Sequence, residues 1–186
     1  MAITINGSGI TSSEIADGTI VNADINSSAA IASSKVSGAG DNTPSFSVTK
    51  SSDQSYGSGV WTKVVLDTEQ HDTDSAFDSS TNYRFTTPSG EGGTYVFTGF
   101  LSHRSLVNTG DVWLVLYKNG SVDTASQTID FAEAAITGNM MQIPFTFTIA
   151  LNASDYVELY VKHGMGGTRY IDNRYTRFIG YKLAGV

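Results

Sequence analysis

The sequence predicts an all-β sandwich of jelly-roll type, preceded by an extended N-terminal segment, and three observations carry that prediction. Short apolar runs separated by Gly, Asn, Asp, Ser and Pro clusters recur through residues 43–186, with almost nothing helical in their periodicity. All twenty aromatic residues lie beyond residue 42, the first being Phe46. Residues 1–42 consist mostly of Ser, Ala, Gly, Asn and Ile, too poor in large side chains to offset the entropy of ordering unaided. The chain therefore divides near Asp41-Asn42-Thr43-Pro44 into a stem, residues 1–42, and a head, residues 43–186. A head of that length buries roughly two thirds of its unfolded surface.

The stem carries isolated apolar side chains at Ile10, Ile15, Ile20 and Ile25, followed by Ile31 and Val36. A spacing of five suits neither a helix, where successive isoleucines would point apart, nor a flat strand, where they would alternate faces. What remains is a coiled extended chain or a tail that docks its isoleucines on another surface. Fully extended, residues 9–36 reach at most about 90 Å.

Within the head the candidate strands run in order through FSVT, GVWTKVVL, TYVFTGFL, DVWLVLY, SVDTASQTI, MQIPFTFTIAL, YVELYVK and RFIGYKL. The sharpest local signal is LYKNGSV, where Asn119-Gly120 supplies the two positive φ angles of a type I′ hairpin turn. DVWLVLY is apolar on both faces, with Val112, Leu114 and Leu116 on one side and Trp113, Val115 and Tyr117 on the other. MQIPFTFTIAL reads as similarly two-faced. One face fills the core and the other needs a cover, because monomers seldom leave large contiguous apolar patches in water. A neighbouring protomer is the economical cover, which makes Trp113 and Tyr117 candidate interface residues.

Global composition excludes several functions. The net charge of −7, of which −3 falls in the stem, provides no basic face for a nucleic acid. Met1-Ala2-Ile3-Thr4 lacks the basic start and long apolar run of a secretion signal, and no window is long and apolar enough to insert into a membrane. With no cysteine there are no disulfides, thiolate nucleophiles or zinc–thiolate sites.

The stretch FDSSTNYRFTTPSGEGGTYVF, residues 77–97, resembles the signature of C1q-like domains, in which a Phe-Asp-x-x-Thr turn leads to a Phe-Thr-x-Pro strand and then a Gly-x-Tyr-x-Phe strand. Further matches follow in order: FSV at 46–48, VLD at 65–67, LYKNG at 116–120, ALNASDYVELYV at 150–161 and FIGYKL at 178–183. The resemblance implies a ten-stranded antiparallel jelly-roll sandwich that assembles as a compact homotrimer. It departs from animal C1q-like chains in having no collagenous stem. Instead, ADGTIVNADINSSAAIASSKVSG is similar to N-terminal segments of tailed-bacteriophage structural proteins. That similarity implies a stem wound about a three-fold axis or seated on other virion proteins through its isoleucines.

Catalytic chemistry is sparse. His71, His103 and His163 form no paired motif, so they read as surface or interface histidines, and no nucleophile elbow, P-loop or dinucleotide fingerprint occurs. No cofactor is expected. The acidic run LDTEQHDTDSAFD contributes Asp67, Glu69, Asp72, Asp74 and Asp78; some C1q-like trimers bind calcium, yet the run lacks an EF-hand pattern and reads as solvated loop. KHGMGGTRYIDNRYTR, residues 162–177, gathers cations and tyrosines in an otherwise acidic chain. Arg169, Tyr170, Arg174 and Tyr175 are its candidate ligand-binding residues, either for a host-surface glycan or for the acidic loop of a neighbouring protomer. Its glycines suggest a mobile loop.

The leading expectation is a non-enzymatic bacteriophage virion protein, a trimeric fibre, knob or decoration protein exposed on the particle surface. A cellular or secreted C1q-like carbohydrate-binding module is the alternative, and a glycan-degrading fibre enzyme the third reading.

Overall fold

The computed structural model describes residues 42–104, 110–122, 129–131 and 140–183. The stem isoleucines and Val36 lie outside these residues, as does the middle of the predicted strand SVDTASQTI.

Fourteen strand segments occur among the described residues, because bulges and corners break longer runs. They are β1 (Ser45–Thr49), β2 (Gln54–Gly57), β3 (Thr62–Lys63), β4 (Thr68–Asp72), β5 (Phe77–Asp78), β6 (Arg84–Thr86) and β7 (Gly93–Arg104). The rest are β8 (Val112–Lys118), β9 (Ser121–Val122), β10 (Ile129–Phe131), β11 (Met140–Leu151), β12 (Tyr156–His163), β13 (Thr168–Ile171) and β14 (Arg177–Lys182). One sheet runs β2-β13-β7-β14-β1-β4, with β11 on the free side of β7; the other runs β10-β8-β12-β6-β5, with β3 on β12 and β9 on β8. The pairings are antiparallel, as the sandwich prediction requires.

The core lies between the sheets and is aromatic at its centre. Phe46 of β1 meets Phe77 at 4.9 Å, Phe178 at 5.2 Å and Phe85 at 5.3 Å between ring centroids. Gly180 of β14 exists for this ring, since a Cβ there would sit 2.4 Å from Phe46. Gly99 of β7 plays the same part for the backbone: a Cβ would come within 2.0 Å of the Arg177 carbonyl oxygen.

The predicted turn at Asn119-Gly120 forms, with φ of 52° and 80°. The Asn119 side chain also accepts from the Tyr156 amide at 2.9 Å and donates to Asp155 at 2.8 Å, tying the β8–β9 hairpin to the start of β12.

The two strands expected to be apolar on both faces come out differently. In β11, Ile143, Phe145, Phe147, Ile149 and Leu151 are buried, whereas Gln142, Pro144, Thr146, Thr148 and Ala150 are exposed. That is simple alternation, and the two-faced reading of MQIPFTFTIAL is corrected. In β8 the second face is indeed apolar, but it is covered from within the chain. Tyr117 stacks on Tyr160 of β12 at 3.9 Å, Trp61 meets Tyr117 edge-on at 6.5 Å, and the Lys162 ammonium lies 4.8 Å from the Trp61 ring and 4.5 Å from that of Trp113. Trp113 and Tyr117 are half-buried as a result. This ladder covers part of that face, and the interface expected at Trp113 and Tyr117 remains a proposal.

Candidate functional site

The segment read as a mobile loop is an ordered strand and turn. β13 pairs with β2 on one side and with the end of β7 on the other, placing Tyr170 opposite Arg104 and Ile171 opposite His103. The turn that follows is organised by Asp172, whose side chain is fully buried. Its carboxylate accepts from the Arg174 amide at 2.9 Å and from the Arg174 guanidinium at 2.8 to 3.2 Å, with Arg104 approaching at 3.7 Å. These donors hold the carboxyl below its ordinary value, Arg174 contributing most and Arg104 least. Its backbone carbonyl accepts from the Thr176 hydroxyl at 2.7 Å, and that hydroxyl accepts in turn from the Ser102 amide at 3.1 Å. Two arginines here find acids within the chain: Arg174 on Asp172, and Arg104 on Asp53 and Asp172.

Arg169 requires a correction. Expected on a ligand-binding surface, it is 5% exposed, and its guanidinium donates inward to the carbonyls of Thr168 at 2.9 Å and Met165 at 3.1 Å. Tyr170, Arg174 and Tyr175 do reach the surface, with Arg104 5.8 Å from the Tyr170 ring and Arg174 5.7 Å from that of Tyr175.

Register carries these residues onto the outer face of the first sheet. There, Arg177 of β14 stands opposite Phe100 of β7, which in turn stands opposite Pro144 of β11. A hollow of about 300 Å³ opens between Phe100, Gln142, Arg174, Tyr175, Arg177 and Ile179. Phe100 and Tyr175 are 48% and 49% exposed, so large rings stand in water beside two guanidinium groups. Such a face can pack against a flat protein surface or a polyhydroxylated polymer.

Asp67, Asp72 and Asp78 of the acidic run accept hydrogen bonds from backbone amides. Asp78 accepts from the amides of Ser80, Thr81 and Asn82, which hold its carboxyl far below its ordinary value. Asp72 accepts from Ala76 and Phe77, and Asp67 from the amide and hydroxyl of Ser51. Among the described residues, no three His, Asp or Glu side chains converge on a possible metal position.

The structure also joins two residues that the sequence left apart. His71 is exposed, but His103 and His163 are both fully buried, with ring centroids 5.9 Å apart. Sixty positions separate them, and no local motif announces the pairing.

No protein-family model and no curated protein matches the sequence. Solved structures match by shape. The globular domain of zebrafish complement 1qA protein superposes with a TM-score of 0.51 at 17% identity, over 75% of this chain and 97% of that one. The fold is of the C1q/TNF type. Murine APRIL, solved at pH 8.5 and at pH 5.0, superposes on the same C1q/TNF-type head with a TM-score of 0.52 at 9% identity, over 75% of this chain and 98% of that one. At these identities the likeness concerns the fold alone.

Proposed function

We propose that the chain is a non-enzymatic virion protein of a tailed bacteriophage, a trimeric fibre, knob or decoration protein. In this reading residues 1–42 are the stem that seats on other virion proteins, and the C1q/TNF-type head faces outward. The observation that carries the self-association is the outer face of β11, β7 and β14, with Phe100 and Tyr175 half in water beside an open hollow. Three copies arranged about one axis would cover that face, in keeping with the trimer that the C1q resemblance implies. The ladder over β8 then remains outside. The similarity of the stem to bacteriophage segments supports the virion assignment, and its isoleucines are the proposed anchors.

Light scattering of the full chain gives the first test: a trimer is expected, and Phe100→Asp should dissociate it while leaving β-type circular dichroism intact. A stable wild-type monomer would sink the self-association. Mass spectrometry of purified particles tests the location, and deleting residues 1–40 should leave a folded head that no longer joins them. Recovery from a cellular or secreted fraction would instead favour the carbohydrate-binding alternative.

A further inference from the structure

At the corner where the chain passes twice between the sheets lies a buried polar cluster of unusual composition. Tyr56 comes from β2, His103 from the end of β7, His163 from the end of β12 and Arg169 from β13; none is more than 5% exposed. The Tyr56 ring meets His163 edge-on at 4.7 Å and His103 at 5.6 Å. Several polar atoms here have no hydrogen-bond partner: the Tyr56 hydroxyl, both ring nitrogens of His103 and Nε of Arg169. Buried polar groups are nearly always paired, so a cluster of exceptions singles this corner out.

His163 is locked in one neutral form. Its Nε2 donates to the Tyr56 carbonyl at 3.4 Å, and its Nδ1 accepts from the Met165 amide at 3.3 Å. A proton on Nδ1 would abolish the second bond, because that nitrogen would then face an N–H as a donor. The same corner is held by the Gly59 amide donating to the His163 carbonyl at 2.8 Å, Ser58 to the Gly167 carbonyl at 3.2 Å, and Gly166 to the Ser58 hydroxyl at 3.1 Å.

The charges around the rings all oppose protonation. Arg169 is a buried cation that forms no ion pair with a carboxylate among the described residues, and each histidine would become a further cation beside it. Arg104, next along β7, is engaged with Asp53 and Asp172, and Lys162, next along β12, lies over Trp61 and Trp113. Asp172, the carboxylate that follows β13, is committed to Arg174 and Arg104. Tyr56 is kept firmly neutral by burial. Burial lowers both histidines, His103 to about 3, with Arg169 adding to the effect on each.

We propose that the His103–His163 pair makes this corner an acid-operated joint: protonation parts the β2–β13 pair from the end of β12 while the aromatic centre of the sandwich stays folded. Free histidines charge below about pH 6.5 and the closed corner refuses the charge, so acid favours the open form. The open form exposes Tyr56 and Arg169. The inference rests on the head alone and does not depend on where the protein resides.

Hydrogen exchange on the full chain, corrected for intrinsic rates, provides the test. Between about pH 7.5 and about pH 5, peptides spanning residues 54–61 and 163–171 should exchange about tenfold faster or more, while those spanning 93–101 and 177–182 keep their protection. The double variant His103→Gln, His163→Gln should flatten the local response. Proton NMR of the wild-type rings adds a readout that needs no variant: in the closed corner His103 and His163 should stay neutral below the ordinary histidine range. Equal protection of the corner at both pH values would overturn the proposal. So would titration of the His103 and His163 rings in the ordinary histidine range, or an acid response undiminished in a folded double variant.

Discussion

Strand β7 lines the same interior face along its whole length, yet its two halves do opposite things. Tyr95 and Phe97 point into a dry aromatic cluster, where Phe97 stacks on Phe178 at 5.6 Å and meets Phe85 at 5.7 Å. Six residues further on, His103 points into a cluster in which several polar atoms, its own ring nitrogens among them, lack partners. The first half supplies dispersion and apolar burial with no polar atom to satisfy; the second forgoes hydrogen bonds and carries an uncompensated guanidinium. One sheet can therefore hold a region that sets the stability of the fold and another that makes stability depend on pH.

Four substitutions or titrations sharpen that contrast. The largest loss is expected at the centre of the aromatic half, where Phe46→Ala should cost about 3–5 kcal/mol in denaturant unfolding, independent of pH near neutrality. Next is Asp172→Ala, which removes the acceptor of the Arg174 turn and should cost roughly 2–3 kcal/mol. Because the folded Asp172 carboxyl lies below its ordinary value of 3.8, its contribution is present above that pH and disappears as pH falls through the folded value. The histidine end acts in a different window. Both rings lie below the ordinary 6.5, so the unfolded chain binds more protons than the folded one beneath that pH. Stability should be full above about pH 6.5 and fall on acidification, as melting curves between pH 7 and pH 4 would show. The smallest effect belongs to neither half: Tyr117→Ala on the outer ladder should cost about 1 kcal/mol in denaturant unfolding. A change of oligomeric state in that variant would return the interface to β8.

Much of the scaffold was legible because alternation and turn chemistry are local. TYVFTGFL, DVWLVLY, MQIPFTFTIAL, YVELYVK and RFIGYKL all become strands within a few residues of their predicted limits, and Asn119-Gly120 makes its turn. GVWTKVVL leaves only β3 in a sheet, and β2, β4 and β13 were missed, being short and without sustained apolar alternation.

Sequence alone thus determined the fold class, the division of composition near residue 42 and the Asn119-Gly120 turn, since each follows from local composition, a period of two or the conformational limits of single residues. Only the tertiary structure decided what meets what. Which side chains cover Trp113, why Arg169 turns inward and why His103 meets His163 all depend on strand order and register between residues tens of positions apart. A period of two assigns a side chain to a face but is silent about the strand lying across from it.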